Sequence, residues 1–191
     1  MNLRLLFGTC LVLLLACSGE EAKYPTRNWV TIQVTSSNFI SGGTLDSRFS
    51  DSRGTQCTGS NDFPGLIWVA GPSNTVSYVV IVDDPSGSDW VHLNLYNIPS
   101  STTSINELLA TSEVVTFTAG TVGNNSWSTI SGEPRPTGWA GPCPPSGVHS
   151  YVFSVYALKR TLTSLNNVNR KSFESLYRSS IVASGSITGQ F

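Results

Sequence analysis

Three prolines crowded into Gly141-Pro142-Cys143-Pro144-Pro145-Ser146-Gly147, running straight into an apolar stretch that ends at Leu158, constrain this chain more than any other feature. Each proline fixes φ and withdraws a backbone donor, while the flanking glycines permit sharp changes of direction, so the segment reads as a rigid loop. The stretch after it alternates as a strand. His149, Tyr151, Phe153, Val155 and Ala157 fall on one face, and Ser150, Val152, Ser154, Tyr156 and Leu158 on the other. Apolar bulk on both faces marks a strand inside a sheet. A histidine thus stands where stiff loop becomes strand, either hydrogen-bonded at the lip of a core or turned into a binding site.

A second stretch repeats the design. Val76 to Val82 is β-branched and almost uniformly apolar, which reads as a strand buried on both sides and ending at Asp84. A proline-glycine turn follows, and period two then puts Trp90, His92, Asn94 and Tyr96 on one face of the next strand. The chain owns two histidines, and each lies at the start of a strand behind a Pro/Gly loop, which points to one shared pocket.

Asp84-Pro85, Trp90-x-His92, Asn97-Ile98-Pro99, the Gly141 to Pro145 turn and His149-x-Tyr151-x-Phe153 occur in that order, preceded by Cys57-x-Gly59-x-Asn61 and Pro64-x-Leu66-x-Trp68. Together they resemble the phosphatidylethanolamine-binding protein (PEBP) or Raf kinase inhibitor family, in its bacterial YbhB/YbcL-type branch. The resemblance runs from about residue 30 to the C-terminus. It implies a mostly β fold, a large antiparallel sheet packed on a smaller one with a short C-terminal helix. It also implies a small anion pocket, for phosphate or a phospholipid head group, made by Asp84, Trp90, His92, Gly141, Pro142, His149 and Tyr151. The chain departs from the family at Ser86-Gly87-Ser88, where D-P-D-A-P usually continues, and at Ser150, where an arginine is usual.

Residues 1–16 have a basic start and an apolar run too short to span a bilayer comfortably, the form of a signal peptide. Leu14-Leu15-Ala16-Cys17 resembles a bacterial lipobox with Cys17 as the lipidation site and a membrane anchor; plain secretory cleavage after Ala16 or Ala22 is the alternative. Residues 17–27 read as a flexible tether and 28–191 as one PEBP-like domain. Low charge and a net charge of −1 argue against a nucleic-acid partner.

Within the domain, Trp29 to Val34 reads as the first strand. Ser104-Ile105-Asn106-Glu107 has capping-box spacing and predicts a helical turn, where the family resemblance implies a loop. Val114 to Thr118 reads as a short strand and Gly120 to Trp139 as a long loop. Trp127 and Trp139 either wall the pocket or cover the sheet edge. Lys171 to Ser180 carries Phe173, Leu176, Tyr177 and Ile181 at helical steps, and Ala183 to Phe191 resembles the family's terminal strand.

In an exported domain Cys57 and Cys143 either form a disulfide or remain two buried thiols. Cysteines and histidines do not fall at zinc spacings, so no metal or cofactor is expected. Asp84, His92 and His149 are the right types for acid–base work, but no nucleophile elbow accompanies them. The expectation is a non-catalytic binding protein. A protein-interaction module inhibiting a protease or kinase, and a small hydrolase using the His/Asp pocket, are the alternatives.

Overall fold

In the computed structural model, which describes residues 29–53, 57–133 and 135–191, the apolar run before Asp84 forms a strand buried at every position. The signal segment, Cys17 and the tether lie outside the described residues. In chain order the strands are β1 (Val30–Thr31), β2 (Val34–Thr35), β3 (Gly43–Thr44), β4 (Leu66–Trp68), β5 (Ser77–Asp84), β6 (Trp90–Pro99), β7 (Ser104–Ile105), β8 (Thr121–Val122) and β9 (Ser150–Leu158). A short helix α1 (Arg170–Leu176) and the last strand β10 (Ile181–Gln190) follow.

The larger sheet runs β1-β10-β9-β5-β6-β8, with β3 also paired to β10. Its long neighbours are antiparallel, whereas β1 and β3 lie parallel to β10. The smaller sheet is β2-β4-β7. Between the two sheets sits the main core, which includes Phe63, Trp68, Val80, Leu93, Phe153 and Val155. On the other face of the large sheet, Phe173 of α1 packs on Tyr156, with ring centroids 4.8 Å apart, and joins Val79, Ile81 and Leu158. Strands β5 and β9 are therefore covered on both sides, as their uninterrupted apolar character requires.

Four local expectations are corrected. The first strand is two strands: β1 joins the large sheet and β2 the small one, with Ile32 crossing between them. Gly185 makes the crossing sterically open, because a Cβ there would stand 1.9 Å from the Ile32 carbonyl oxygen. Ser104–Ile105 is not helical but pairs with Ile67 and Leu66. Glu107 accepts hydrogen bonds from Asn38 Nδ2 and Arg48 Nε instead of capping a turn. Val114 makes only an isolated bridge to Thr111, around a turn with left-handed Ser112 and Glu113. In α1, Phe173 is fully buried but Leu176 is 69 % exposed, since the helix ends there and turns that position outward.

Cys57 and Cys143 are joined by a disulfide, with Cα atoms 5.7 Å apart across a sequence separation of 86. The cross-link removes freedom from the unfolded chain, worth up to about 4.5 kcal/mol for a loop of this length. Replacing both by serine is expected to lower the urea midpoint and raise the m-value, as the unfolded chain expands. Urea unfolding followed by circular dichroism checks both.

Candidate functional site

The pocket begins where three long strands of the large sheet end together. Asp84, the last residue of β5, caps a short 3-10 turn at Pro85–Gly87, its Oδ1 accepting the Gly87 N–H at 2.9 Å. Ser88 and Asp89, both left-handed at φ 61° and 58°, reverse the chain into Trp90. Opposite, His149 hands the proline loop over to β9, and its Nδ1 lies 2.6 Å from Asp84 Oδ2. Asp84 thus has both oxygens engaged, one by a backbone N–H and one by an imidazole N–H.

His92 enters from β6 by a device that strict alternation does not foresee. Val82 pairs with Leu93 but Asp83 with Val91, so a β-bulge inserts His92 as an extra residue. Trp90 and His92 face the pocket. Past the bulge, Leu93 and Leu95 take over the main-core face, while Asn94 and Tyr96 point to the α1 side. The expected single face of Trp90, His92, Asn94 and Tyr96 is thereby corrected. His92 is buried, and its Nδ1 donates to the Ala140 carbonyl at 2.5 Å. Burial pushes the imidazole below its ordinary pKa, against the Ala140 hydrogen bond and the charge of Asp84, which pull it upward.

The wall facing these side chains is set by close backbone packing. A Cβ on Gly141 would lie 2.2 Å from the Phe49 carbonyl oxygen, and one on Gly59 would lie 2.3 Å from that of Ser47. Asn61, buried and left-handed at φ 62°, accepts the Gly141 N–H at 2.7 Å and donates to the carbonyls of Glu113 and Trp139. The disulfide secures the next residue but one. Those constraints explain the Cys57-x-Gly59-x-Asn61 pattern physically: Gly59 allows the contact, and Cys57 and Asn61 supply it.

Together the elements enclose a hollow of about 530 Å³. Asp84, Trp90, His92, Gly141, His149 and Tyr151 all line it, so both imidazoles of the chain meet in one cavity. Pro142 does not line it; its carbonyl accepts the Asp51 N–H at 3.0 Å behind the wall. Trp127 lines the cavity and stands edge-on to Trp90, with centroids 5.3 Å apart. Trp139 instead lies in the core, its Nε1 donating to the Asp62 carbonyl.

Burial and the charge of Asp84 raise the Tyr151 phenol far above its usual pKa, so it stays a neutral hydroxyl. Among the described residues the lining holds no Lys or Arg, and the two histidines are its basic side chains. The loop also offers fewer donors than a chain of free N–H groups: three of its residues are prolines, Gly141 N–H serves Asn61 and His149 N–H serves Phe191.

Sequence reasoning missed the charged cluster behind Trp127. Asp51 is 2 % exposed; burial pushes its carboxyl upward, but hydrogen bonds and charge from Arg53 win and hold it below the usual range. Arg53 and Arg135 carry no motif, and only the fold brings them to one carboxylate.

The phosphatidylethanolamine-binding protein family model matches residues 35–191. The chain belongs to the phosphatidylethanolamine-binding protein family. Among its PEBP relatives, UPF0098 protein YbcL of Escherichia coli is 35 % identical over 133 residues, 66 % of this chain and 68 % of the relative. A UPF0098 protein of Methanothermobacter thermautotrophicus is 35 % identical over 127 residues, covering 65 % and 74 %. Of solved structures, E. coli YbcL superposes with a TM-score of 0.68 at 28 % identity, over 85 % of this chain and 98 % of that one. The putative PEBP homolog CT736 of Chlamydia trachomatis does so with a TM-score of 0.65 at 25 % identity, over 84 % and 97 %.

The depressed His92 pKa has a defined consequence for this PEBP fold. Above its ordinary pKa of about 6.5 the ring is neutral in both folded and unfolded chains. As pH falls through that value the unfolded chain takes up a proton that the folded one resists, so stability drops until the folded pKa is reached. Urea midpoints at about pH 7.5 and about pH 5.5 are expected to differ less in His92→Gln than in the parent protein.

Proposed function

We propose that this PEBP family member is an exported, non-catalytic binding protein whose cavity holds a small phosphate-type anion, free or as a phospholipid head group. The reading rests on one observation: both imidazoles of the chain line a single aromatic-walled hollow, one of them paired with a carboxylate. With Nδ1–H directed to Asp84, His149 has Nε2 left for a ligand. When the ring is protonated it donates Nε2–H to an anionic oxygen, while Asp84 balances the imidazolium. His92, neutral and donating Nδ1–H to Ala140, has an unprotonated Nε2. It accepts from whatever donor the ligand carries, a phosphate O–H or a head-group ammonium.

Export follows from the signal-like residues 1–16, with Cys17 as the proposed anchor to the envelope membrane, and agrees with a disulfide, which persists in oxidising compartments. A hydrolase reading draws on the same Asp84–His149 contact, but among the described residues neither imidazole is hydrogen-bonded to a serine hydroxyl.

Calorimetric titration with inorganic phosphate and with phosphorylethanolamine separates the two ligand sources. His149→Ala is expected to weaken binding by about tenfold or more, the worth of one charge-assisted hydrogen bond. No binding of either ligand, or binding unchanged in His149→Ala, contradicts the reading.

A further inference from the structure

One wall of the cavity is held from behind by charge. Trp127 stands on a short 3-10 turn whose cap, Asn125, accepts the Trp127 backbone N–H at 3.0 Å. Its indole Nε1 is buried without a hydrogen-bond partner, so no hydrogen bond from the indole fixes the ring's orientation. Two contacts do that instead: the edge-to-face contact with Trp90 and the guanidinium of Arg53, whose Cζ lies 4.3 Å from the ring centroid. Arg53 is itself clamped. Its Nε lies 3.0 and 2.9 Å from the two oxygens of Asp51, and its Nη1 is bonded to Glu133.

The same Asp51 reaches the opposite wall. Its backbone N–H donates to the Pro142 carbonyl, one residue before the disulfide-bonded Cys143 that lines the cavity. A single planar cation and its carboxylate therefore bridge the tryptophan wall and the proline wall.

We propose that Arg53 is a positioning residue of the binding cavity, setting through Trp127 the room left for the part of a ligand beyond its phosphate. The ligand arm of this inference rests on the phosphate reading above; the geometric arm does not. Arg rather than Lys is required, because the flat guanidinium both forks onto the carboxylate and stacks on the indole. A lysine keeps the charge and loses the plate.

The test uses the protein carrying 5-fluorotryptophan, whose five indoles give separate fluorine resonances, that of Trp127 assigned with Trp127→Phe. In ligand-free Arg53→Lys the Trp127 resonance is expected to shift and that of buried Trp68 to stay. Phenyl phosphate affinity is expected to fall about five- to tenfold in Arg53→Lys, the middle of the span of a lost cation–π contact, and inorganic phosphate affinity to change less than about twofold. The double variant with Trp127→Phe is expected to lose no more than either single variant. Arg53→Met, which keeps the stem but not the charge, serves as the second variant and is expected to move the same resonance. An unmoved Trp127 resonance in ligand-free protein, equal losses for both phosphates, or additive losses in the double variant overturn the inference. If the parent protein binds neither phosphate, the phosphate reading fails and the fluorine resonance alone decides the positioning role.

Discussion

The antiparallel pairing of β5 with β9 is the constraint from which the site follows. Both strands are buried on two faces, and their register, Ile81 opposite Ser154 and Asp83 opposite Val152, leaves no freedom to slip without turning every side chain over. Where they end, adjacent carboxylates of β5 go to opposite sides. Asp83 meets Arg170 of α1, with Oδ2 accepting the Arg170 N–H at 2.9 Å, and its carboxyl is raised by burial against that partner. Asp84 meets His149 in the cavity. Alternation in the sheet therefore sends one acid to the helix and the other to the cavity.

What the sheet aims, the loops enclose, and they do so by contact rather than by mass. Gly59 and Gly141 leave no room for a side chain, Asn61 satisfies three backbone groups around them, and the disulfide ties the two loops together. A buried Asn with its amide fully used is a specifying device, since any displacement of the proline loop strands polar groups away from water. The cavity therefore has stiff walls, and two imidazoles line it.

Much of this was legible in the sequence, for reasons that differ by element. The face carrying His149, Tyr151 and Phe153 follows from plain alternation because β9 is regular where they stand. On β6 the same rule succeeds for Trp90 and His92 and fails for Asn94 and Tyr96, because a bulge adds one residue and no sequence pattern announces it. Ser104–Ile105 carries a helix-start pattern, yet pairing with β4 outweighs local propensity. Of two tryptophans in the long loop, the structure turns Trp127 to the cavity and Trp139 to the core, a choice made by tertiary packing alone. Asp51 and Arg53 were silent for the same reason: a polar stretch reads as solvated until the fold buries it.

In the proposed binding mode the two imidazoles act on one ligand in complementary roles, His149 donating and His92 accepting. Long-range 15N–1H correlation spectra of the rings, recorded while inorganic phosphate is added near pH 6, test it most directly. His92 is expected to keep its proton on Nδ1, His149 to carry its protonated Nδ1 toward Asp84, and the Nε2 signals of both rings to move together as phosphate is added. A His92 protonated on Nε2 alone, or phosphate that perturbs neither ring or only one, contradicts it.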